Sequence, residues 1–256
     1  MNLLEALFLG ILQGITEFLP ISSSGHLVIA QHIMGIQTPG VLLETILHMG
    51  TLVSIIIYYS DDIFFLMRST NNNYKESKYY FLLLFIATIP AVIFGSLFKE
   101  IIENTFSIQY VKWFLIITGI TIGSTYFYKT NNKNDINYKN AIIIGLSQVV
   151  ALFPGVSRSG MTLSTALILG IDHSKATKFI FFMAIPILLG AGMLQIISMD
   201  LDENILLAPL FIGFISSLIT GYLVINWLIK IISKGKFYFF SIYCFIISMI
   251  QFLIID

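Results

Sequence analysis

One stretch of this chain occurs twice, and each copy is interrupted by residues that the interior of a helix does not tolerate. Residues 10–36 align without a gap on residues 145–171. Pro20 breaks the first copy and Pro154-Gly155 breaks the second, because proline lacks the amide hydrogen that a helix interior requires. Each copy is therefore predicted to form two short helices joined by a polar turn. Identical pairs include Gly10/Gly145, Gln13/Gln148, Phe18/Phe153, Ser22/Ser157, Ser24/Ser159, Gly25/Gly160, Gly35/Gly170 and Ile36/Ile171.

The sequence around these two copies is strongly apolar. Hydrophobic residues make up 57% of the chain, charged residues only 11%, and the mean hydropathy is +0.88. A soluble domain has about a quarter of its residues charged, so this composition predicts a polytopic membrane protein. The formal net charge is zero, which gives no basis for binding nucleic acid.

Six segments are long and apolar enough to cross a bilayer, which takes about 20 residues. The two broken regions, 3–36 and 141–171, are predicted to be re-entrant helix pairs that enter and leave the membrane on one side. The predicted fold is an all-α polytopic membrane protein that forms one integral membrane domain over residues 1–256. Its six predicted transmembrane helices are 41–60, 79–98, 110–128, 178–198, 206–230 and 237–255.

The distribution of basic residues predicts the orientation of the chain. Eleven of the 14 Lys and Arg residues lie in loops on one side, which the positive-inside rule assigns to the cytoplasm. The two broken regions then enter from opposite faces, so residues 1–128 and 139–256 form an inverted-topology repeat whose polar tips meet near the membrane midplane. The opposite loops contain Lys99, Lys112 and the acidic residues Asp200, Asp202 and Glu203. The eleven basic residues are Arg68, Lys75, Lys78, Lys129, Lys133, Lys139, Lys175, Lys178, Lys230, Lys234 and Lys236.

A carboxylate within the first broken region is the first candidate functional group. Glu17 directly precedes the break, and Gln13 lies four residues earlier on the same helical face. Because a carboxylate at bilayer depth is energetically costly, it usually marks a functional site. Glu17 could bind a divalent metal ion or move a proton. The alternative is a glutamate at a helix end that reaches interfacial water.

The serine-rich turns predict an anion site. Each turn starts a new helix, whose free amide hydrogens and positive dipole end favour an anion such as phosphate. The alternative is that the serines only cap the helices. Capping explains one serine in each turn, but it does not explain three hydroxyls and an arginine.

Arg158 is a lone guanidinium in an apolar stretch, so it needs an anionic partner. A phosphate bound by the guanidinium fork fits best, and a structural ion pair with Glu17 is the alternative.

His26 follows the first serine turn. It could act as a general base, as a nucleophile on phosphorus or as a metal ligand, and Ser23 and Glu17 nearby favour a catalytic role. The alternative is a histidine that only forms hydrogen bonds at a helix start. The remaining histidines lack such neighbours in the sequence: His32, His48 and His173.

These motifs resemble those of the bacterial undecaprenyl-diphosphate phosphatases linked to bacitracin resistance. One matching motif runs from Gln13 through Glu17 and Ser22-Ser23-Ser24 to His26, and the other covers residues 154–162. Further likeness occurs at Glu44 and at residues 87–91, 184–186 and 221–223. The resemblance extends over essentially the whole chain, and its two main motifs are highly specific.

The resemblance implies hydrolysis of undecaprenyl diphosphate to undecaprenyl phosphate, the lipid carrier of cell-wall synthesis. It also implies a divalent cation, Mg or Ca, and a site open to the outer face of the bacterial cytoplasmic membrane. Gln13 and Glu17 match the pair expected to bind the metal, although many family members have Glu at position 13. The residues that match the catalytic set are Glu17, Ser23, His26 and Arg158. Those that match the substrate-binding set are Ser22, Ser24, Gly25, Ser157, Ser159, Gly160 and Thr162.

Three questions stay open at this level. The nucleophile could be Ser23 with His26 as its base, or His26 itself. Inverted repeats with broken helices are also typical of secondary transporters, so a transporter or flippase for a lipid phosphate or small anion is the alternative function. The expected partners are a polyprenyl diphosphate and membrane lipids, and the sequence leaves an oligomeric assembly open.

Overall fold

The computed structural model describes residues 1–36, 41–68, 74–128, 134–197 and 207–254. Within these ranges the chain is helical and has no β-strand apart from one isolated bridge between Asn134 and Ile171. The prediction of an all-α protein is confirmed for this part of the chain. Five residues used to predict the orientation lie outside the described ranges: Lys129, Lys133, Asp200, Asp202 and Glu203.

The described residues form twelve α-helices, and a single 3-10 turn, Thr125–Phe127, follows the seventh. The first half of the chain contains α1 (Leu3–Phe18), α2 (Ser23–Ile33), α3 (Val41–Tyr58), α4 (Ser60–Met67), α5 (Tyr74–Leu97), α6 (Lys99–Asn104) and α7 (Ile108–Ser124). The second half contains α8 (Tyr138–Val150), α9 (Arg158–Ile168), α10 (His173–Ile197), α11 (Leu207–Ser233) and α12 (Phe239–Ile254).

Several of these helices suit a membrane by length and composition. Among the described residues, three stretches are long and apolar enough to cross a bilayer, namely Lys75–Leu97, His173–Leu194 and Leu207–Ser233. They correspond to three of the six predicted spans. Helices α3 and α4 satisfy the same criterion only together, and the chain bends by 71° between them. The chain is therefore a membrane-embedded, multi-pass protein.

Both predicted helix breaks are present. Helix α1 ends at Phe18 and α2 begins at Ser23, while α8 ends at Val150 and α9 begins at Arg158. The same residue type caps both new helices. The hydroxyl of Ser22 accepts the amide hydrogen of Gly25 at 3.2 Å, and the hydroxyl of Ser157 accepts that of Gly160 at 3.0 Å. These caps explain why both serines and both glycines recur in the two copies.

The repeated glycines at positions 10 and 145 allow close helix packing. A Cβ atom on Gly10 would lie 2.4 Å from the carbonyl oxygen of Gly213 in α11. A Cβ atom on Gly145 would lie 2.5 Å from the carbonyl oxygen of Ala87 in α5. Helix α1 therefore packs along α11 with backbones in close approach, and α8 packs along α5 in the same way.

The two serine turns contact each other inside the molecule. The amide of Gly155 donates to the hydroxyl of Ser22 at 3.1 Å, and the hydroxyl of Ser159 donates to the carbonyl oxygen of Leu19 at 3.2 Å. Gly155 has a φ of +105°, and a Cβ atom there would lie 2.8 Å from the carbonyl oxygen of Val111. Only glycine suits this position, so the break after Pro154 brings the second turn against the first.

Candidate active site

An ion pair between the two halves of the chain forms the centre of the site. Nη2 of Arg158 donates to Oε1 of Glu17, although the two residues are 141 positions apart. The other carboxylate oxygen, Oε2, accepts hydrogen bonds from Ser23 Oγ at 2.7 Å and from Gln13 Nε2 at 3.1 Å. The side chain of Glu17 is only 4% exposed, so these donors compensate a carboxylate that water hardly reaches. The structure thus brings together four of the residues that the motifs single out.

His48 belongs to this group as well, although the sequence analysis did not select it as a site residue. Its Nε2 lies 3.4 Å from Oε2 of Glu17, and its Nδ1 lies 2.7 Å from the carbonyl oxygen of Glu44. Because a carbonyl oxygen can only accept, Nδ1 carries a hydrogen and Nε2 is directed to the carboxylate. Helix α3 places His48 here, and no spacing within the sequence indicates that contact.

The ring of His26 contacts Ser22 and Tyr243 and not Ser23, the serine for which the sequence analysis considers it as the base. Its Nδ1 lies 2.7 Å from the carbonyl oxygen of Ser22 and its Nε2 lies 2.8 Å from the hydroxyl of Tyr243. The rings of His26 and Tyr243 stack with centroids 5.6 Å apart. Because Nδ1 donates to the carbonyl, Nε2 is left to accept the tyrosine hydrogen. Both ring nitrogens are therefore occupied away from the hydroxyl of Ser23, and Tyr243 of α12 is a contact that the motifs did not reveal.

Ser22 carries backbone strain beside this group. Its φ of +71° makes it the only non-glycine residue with a positive φ among the residues that the structure describes. Such a conformation costs about 1–3 kcal/mol and occurs most often at functional sites. The hydroxyl of Ser22 holds the conformation by accepting amide hydrogens from both Gly25 and Gly155.

The predicted substrate-binding residues divide into two sets. Ser22, Ser24 and Ser157 line the cavity described below. The others form hydrogen bonds with the backbone or side chains of the two turns. Gly25 and Gly160 donate their amide hydrogens to the capping serines, and Ser159 bonds to Ser157 and Leu19. The fully buried Thr162 donates to the carbonyl oxygen of Arg158.

A cavity of about 1050 Å³ opens from the ion pair. Its polar end contains Glu17, Ser23, His48 and Arg158. The rest of the wall comes from α2, α3, α5, α6, α8 and α10. It is mainly apolar, although His32, Glu44, Lys99 and Glu103 also belong to it. Residues on that wall include Ala91, Gly95, Ile102, Phe106, Leu188 and Gly192. A cavity with an arginine and several hydroxyls at one end and a mainly apolar body suits an anionic headgroup attached to a long hydrocarbon chain.

The polar end of the cavity offers oxygen atoms that a divalent cation could use. Among the described residues, no three His, Cys, Asp or Glu side chains are grouped so that they could hold a metal ion by themselves. However, Oε1 of Gln13 is buried beside the carboxylate of Glu17 and has no hydrogen-bond partner in the described part of the chain. Magnesium is commonly bound by one or two carboxylates together with substrate phosphates. The oxygens present therefore fit a cation that is shared with a phosphate ligand.

Comparison with known proteins agrees with this geometry. The sequence profile of the family described as "Bacitracin resistance protein BacA" matches residues 6–250. The chain belongs to the BacA family. It is similar to an undecaprenyl-diphosphatase from Thermosipho africanus, at 40% identity over 250 residues that cover 96% of this chain and 98% of the relative. A protein of the same name from Bacteroides thetaiotaomicron is 36% identical over 257 residues, covering 97% of each chain.

The BacA family membership confirms the resemblance that the two motifs predict. A third relative, an undecaprenyl-diphosphatase from Parabacteroides distasonis, is 37% identical over 258 residues and covers 98% of this chain. Each of these relatives matches along nearly its entire length, so the likeness includes both broken regions and the helices that pack against them. In this BacA protein the two motifs contact each other directly, through Arg158 and Glu17.

Proposed function

We propose that this protein hydrolyses undecaprenyl diphosphate to undecaprenyl phosphate and inorganic phosphate. This reaction recycles the lipid carrier for cell-wall synthesis and confers resistance to bacitracin. One observation carries the proposal: Arg158, Glu17 and Ser23 meet at the polar end of a cavity whose other walls are largely apolar. The names of the family and of its relatives support the same reaction.

We also infer that the chain forms an inverted-topology repeat with six membrane spans in the bacterial cytoplasmic membrane. The matching contacts of α1 with α11 and of α8 with α5 support this arrangement. The site then opens to the outer face. Lys99 and Ser107 line the cavity, and the basic-residue pattern assigns their loop to the outside.

Substrate binding starts at Arg158. Its Nη1 is buried and makes no hydrogen bond within the described structure, while its Nη2 is bound to Glu17. A phosphate oxygen of the substrate accepts from Nη1, and a second oxygen competes with Glu17 for Nη2. This exchange gives the guanidinium a bidentate phosphate contact and frees the carboxylate.

Phosphoryl transfer then uses the contact between Ser23 and Glu17. The hydroxyl oxygen of Ser23 attacks the terminal phosphorus, and its proton passes over 2.7 Å to the carboxylate of Glu17. The bond from the terminal phosphorus to the bridging oxygen breaks, and undecaprenyl phosphate leaves with the electron pair. Water then cleaves the phosphoserine and gives inorganic phosphate. This geometry favours Ser23 as nucleophile and Glu17 as base, with His26 positioning the turn through the Ser22 carbonyl.

The proposed cofactor is a divalent cation, Mg or Ca. Glu17 and the unpartnered Oε1 of Gln13 would hold it together with the phosphates of the substrate. When bound, such a cation offsets negative charge on the transferring phosphoryl group. Glutamine at position 13 supplies a neutral oxygen where many family members have a carboxylate, so we expect weaker metal binding than in those members.

The first prediction concerns the activity of the purified protein. In detergent, without any membrane gradient, it is expected to release phosphate from undecaprenyl diphosphate. A chelator should abolish this release, and added Mg or Ca should restore it. Inorganic diphosphate has no hydrocarbon chain for the apolar wall and is expected to be a much poorer substrate. Lack of phosphate release, combined with lipid or anion transport in vesicles, would instead support the transporter.

The second prediction separates two neighbouring serines of the first turn. Ser23→Ala removes the proposed nucleophile and is expected to lower kcat by at least about 10³-fold. Ser24→Ala is the matched control, because Ser24 also lines the cavity but, among the described residues, its hydroxyl forms a hydrogen bond only with Ser22, at 3.4 Å. We expect the control to stay within about tenfold of wild type. Phosphate release and trapping of an acid-stable phosphoserine are the measurements. Equal activity of the two variants would exclude Ser23 as nucleophile.

A further inference from the structure

Gln148 has an unexplained buried amide and belongs to the wall of the same cavity. It lies in α8, lines the cavity and is only 2% exposed. Within the described structure, neither Nε2 nor Oε1 of its side chain has a hydrogen-bond partner. Burying an amide without partners destabilises a protein, so such a group in a cavity wall calls for a ligand that satisfies it.

The internal repeat indicates what kind of ligand this is. Gln148 corresponds to Gln13, whose Nε2 donates to the carboxylate of Glu17 four residues later. Four residues after Gln148, the second copy has Leu152 in place of the glutamate. The second amide therefore keeps the position of the first but lacks the anion that the first one binds. A phosphate oxygen in the cavity has the charge and acceptor chemistry of the missing carboxylate.

The neighbouring groups point to the same ligand. Nη1 of Arg158 is a second buried donor that has no partner among the residues described, and Arg158 and Ser157 line the same cavity as Gln148. Helix α9 also begins at Arg158, so its positive dipole end lies at the wall of this cavity. Gln148, Ser157 and Arg158 thus contribute hydrogen-bond donors to the wall of one cavity.

We propose that Gln148 is a substrate-binding residue that contacts the diphosphate beside Arg158. Its Nε2 donates a hydrogen bond to a non-bridging phosphate oxygen, and its Oε1 accepts the hydrogen of a protonated oxygen on the phosphate released by hydrolysis. This assignment rests on the proposed phosphatase function. It extends the phosphate site from the serine turns to the last turn of α8.

Gln148→Leu tests the assignment, because leucine keeps the side-chain size but cannot form hydrogen bonds. We expect kcat/KM for undecaprenyl diphosphate to fall by about 10- to 100-fold, the effect of losing one hydrogen bond to a charged group. Inhibition by inorganic phosphate should weaken in parallel. The melting temperature should stay the same or rise, since the substitution removes buried polar atoms without partners.

Gln251→Leu is the matched control. Gln251 in α12 is also 2% exposed, and both atoms of its amide likewise lack partners within the described ranges, but the cavity wall does not include it. This variant should keep wild-type kcat/KM and phosphate inhibition, while its melting temperature changes as in Gln148→Leu. If Gln148→Leu does not fold, Gln148→Met and Gln148→Glu are measured instead. The glutamate variant should be the least active, because its charge repels the phosphate.

The outcomes distinguish this inference from the proposed function. If wild type releases phosphate and Gln148→Leu has the same kcat/KM and phosphate inhibition, the assignment of Gln148 is wrong while the function stands. Equal losses in Gln148→Leu and Gln251→Leu would also overturn the assignment, because a shared effect would reflect packing. A wild-type protein that releases no phosphate would instead reject the proposed function itself.

Discussion

Arg158→Ala is expected to lower kcat/KM for undecaprenyl diphosphate by at least about 10³-fold, the range found when an arginine that stabilises a transferring phosphoryl group is removed. The guanidinium is the main positive charge at the polar end of the cavity, and it connects the second broken region to Glu17 of the first. Its loss removes both the phosphate contact and the group that positions the carboxylate. Phosphate release from the lipid substrate in detergent measures the effect.

The same substitution also affects stability, so controls are needed. Removing one partner of a buried ion pair costs about 3–5 kcal/mol, and here it leaves the nearly buried Glu17 uncompensated. The double variant Glu17→Gln/Arg158→Ala removes that unpaired charge and should recover thermal stability but not activity. Arg158→Lys keeps the charge without the planar fork and is expected to be intermediate in activity. Wild-type turnover by Arg158→Ala would remove this residue from the site.

Glu17→Gln is the second substitution with a large expected effect. The amide is nearly isosteric with the carboxylate, but it cannot take the proton of Ser23 and carries no charge for Arg158 or a cation. General-base catalysis contributes about 10²–10⁴-fold, so we expect kcat to fall by about 10³-fold or more. Steady-state phosphate release gives kcat and KM separately, and kcat should carry most of the loss.

Glu44→Gln is the control for that experiment. Glu44 lines the same cavity from α3, but the hydrogen bond of its carboxylate comes from Gln31 at 3.3 Å. We expect this variant to keep activity within about tenfold of wild type, since it removes a similar charge without touching Ser23. If both glutamine variants lost activity equally, the effect would come from the charge of the cavity, and Glu17 would not be the base.

Much of this site could be predicted because its signals are local. Proline and glycine break a helix at the position where they occur, and a serine caps the helix that follows it, whatever the rest of the chain does. A few adjacent residues were therefore enough to predict three features. These are the two copies of the repeat, the breaks after Phe18 and after Val150, and the need of Arg158 for an anionic partner. The pairing of Arg158 with Glu17 follows from the contact between the two turns, which the repeat suggested.

Other members of the site could not be predicted, because they come from distant helices. His48 in α3 reaches Glu17 in α1 because both helices pack on α11. The hydroxyl of Ser217 in α11 donates to the carbonyl oxygen of Leu47 in α3 at 2.7 Å. Tyr243 meets His26 across 217 residues, and that contact directs the histidine away from Ser23. An ionisable histidine within the predicted span 41–60 was a signal of function for His48, but no adjacent motif identified its partner. Tyr243 lies in an apolar sequence without a motif.

The sequence alone determined that this chain is an α-helical membrane protein with two broken, serine-capped helix pairs and a lone arginine that needs an anion. These properties depend on composition and on interactions between neighbouring residues. Only the tertiary structure decided which side chains surround Glu17, which way His26 faces and that the amide of Gln148 is left without a partner. The physical reason is that close backbone contacts, such as Gly10 against α11 and Gly145 against α5, set the position of each helix, and side-chain contacts across the bundle follow from that packing.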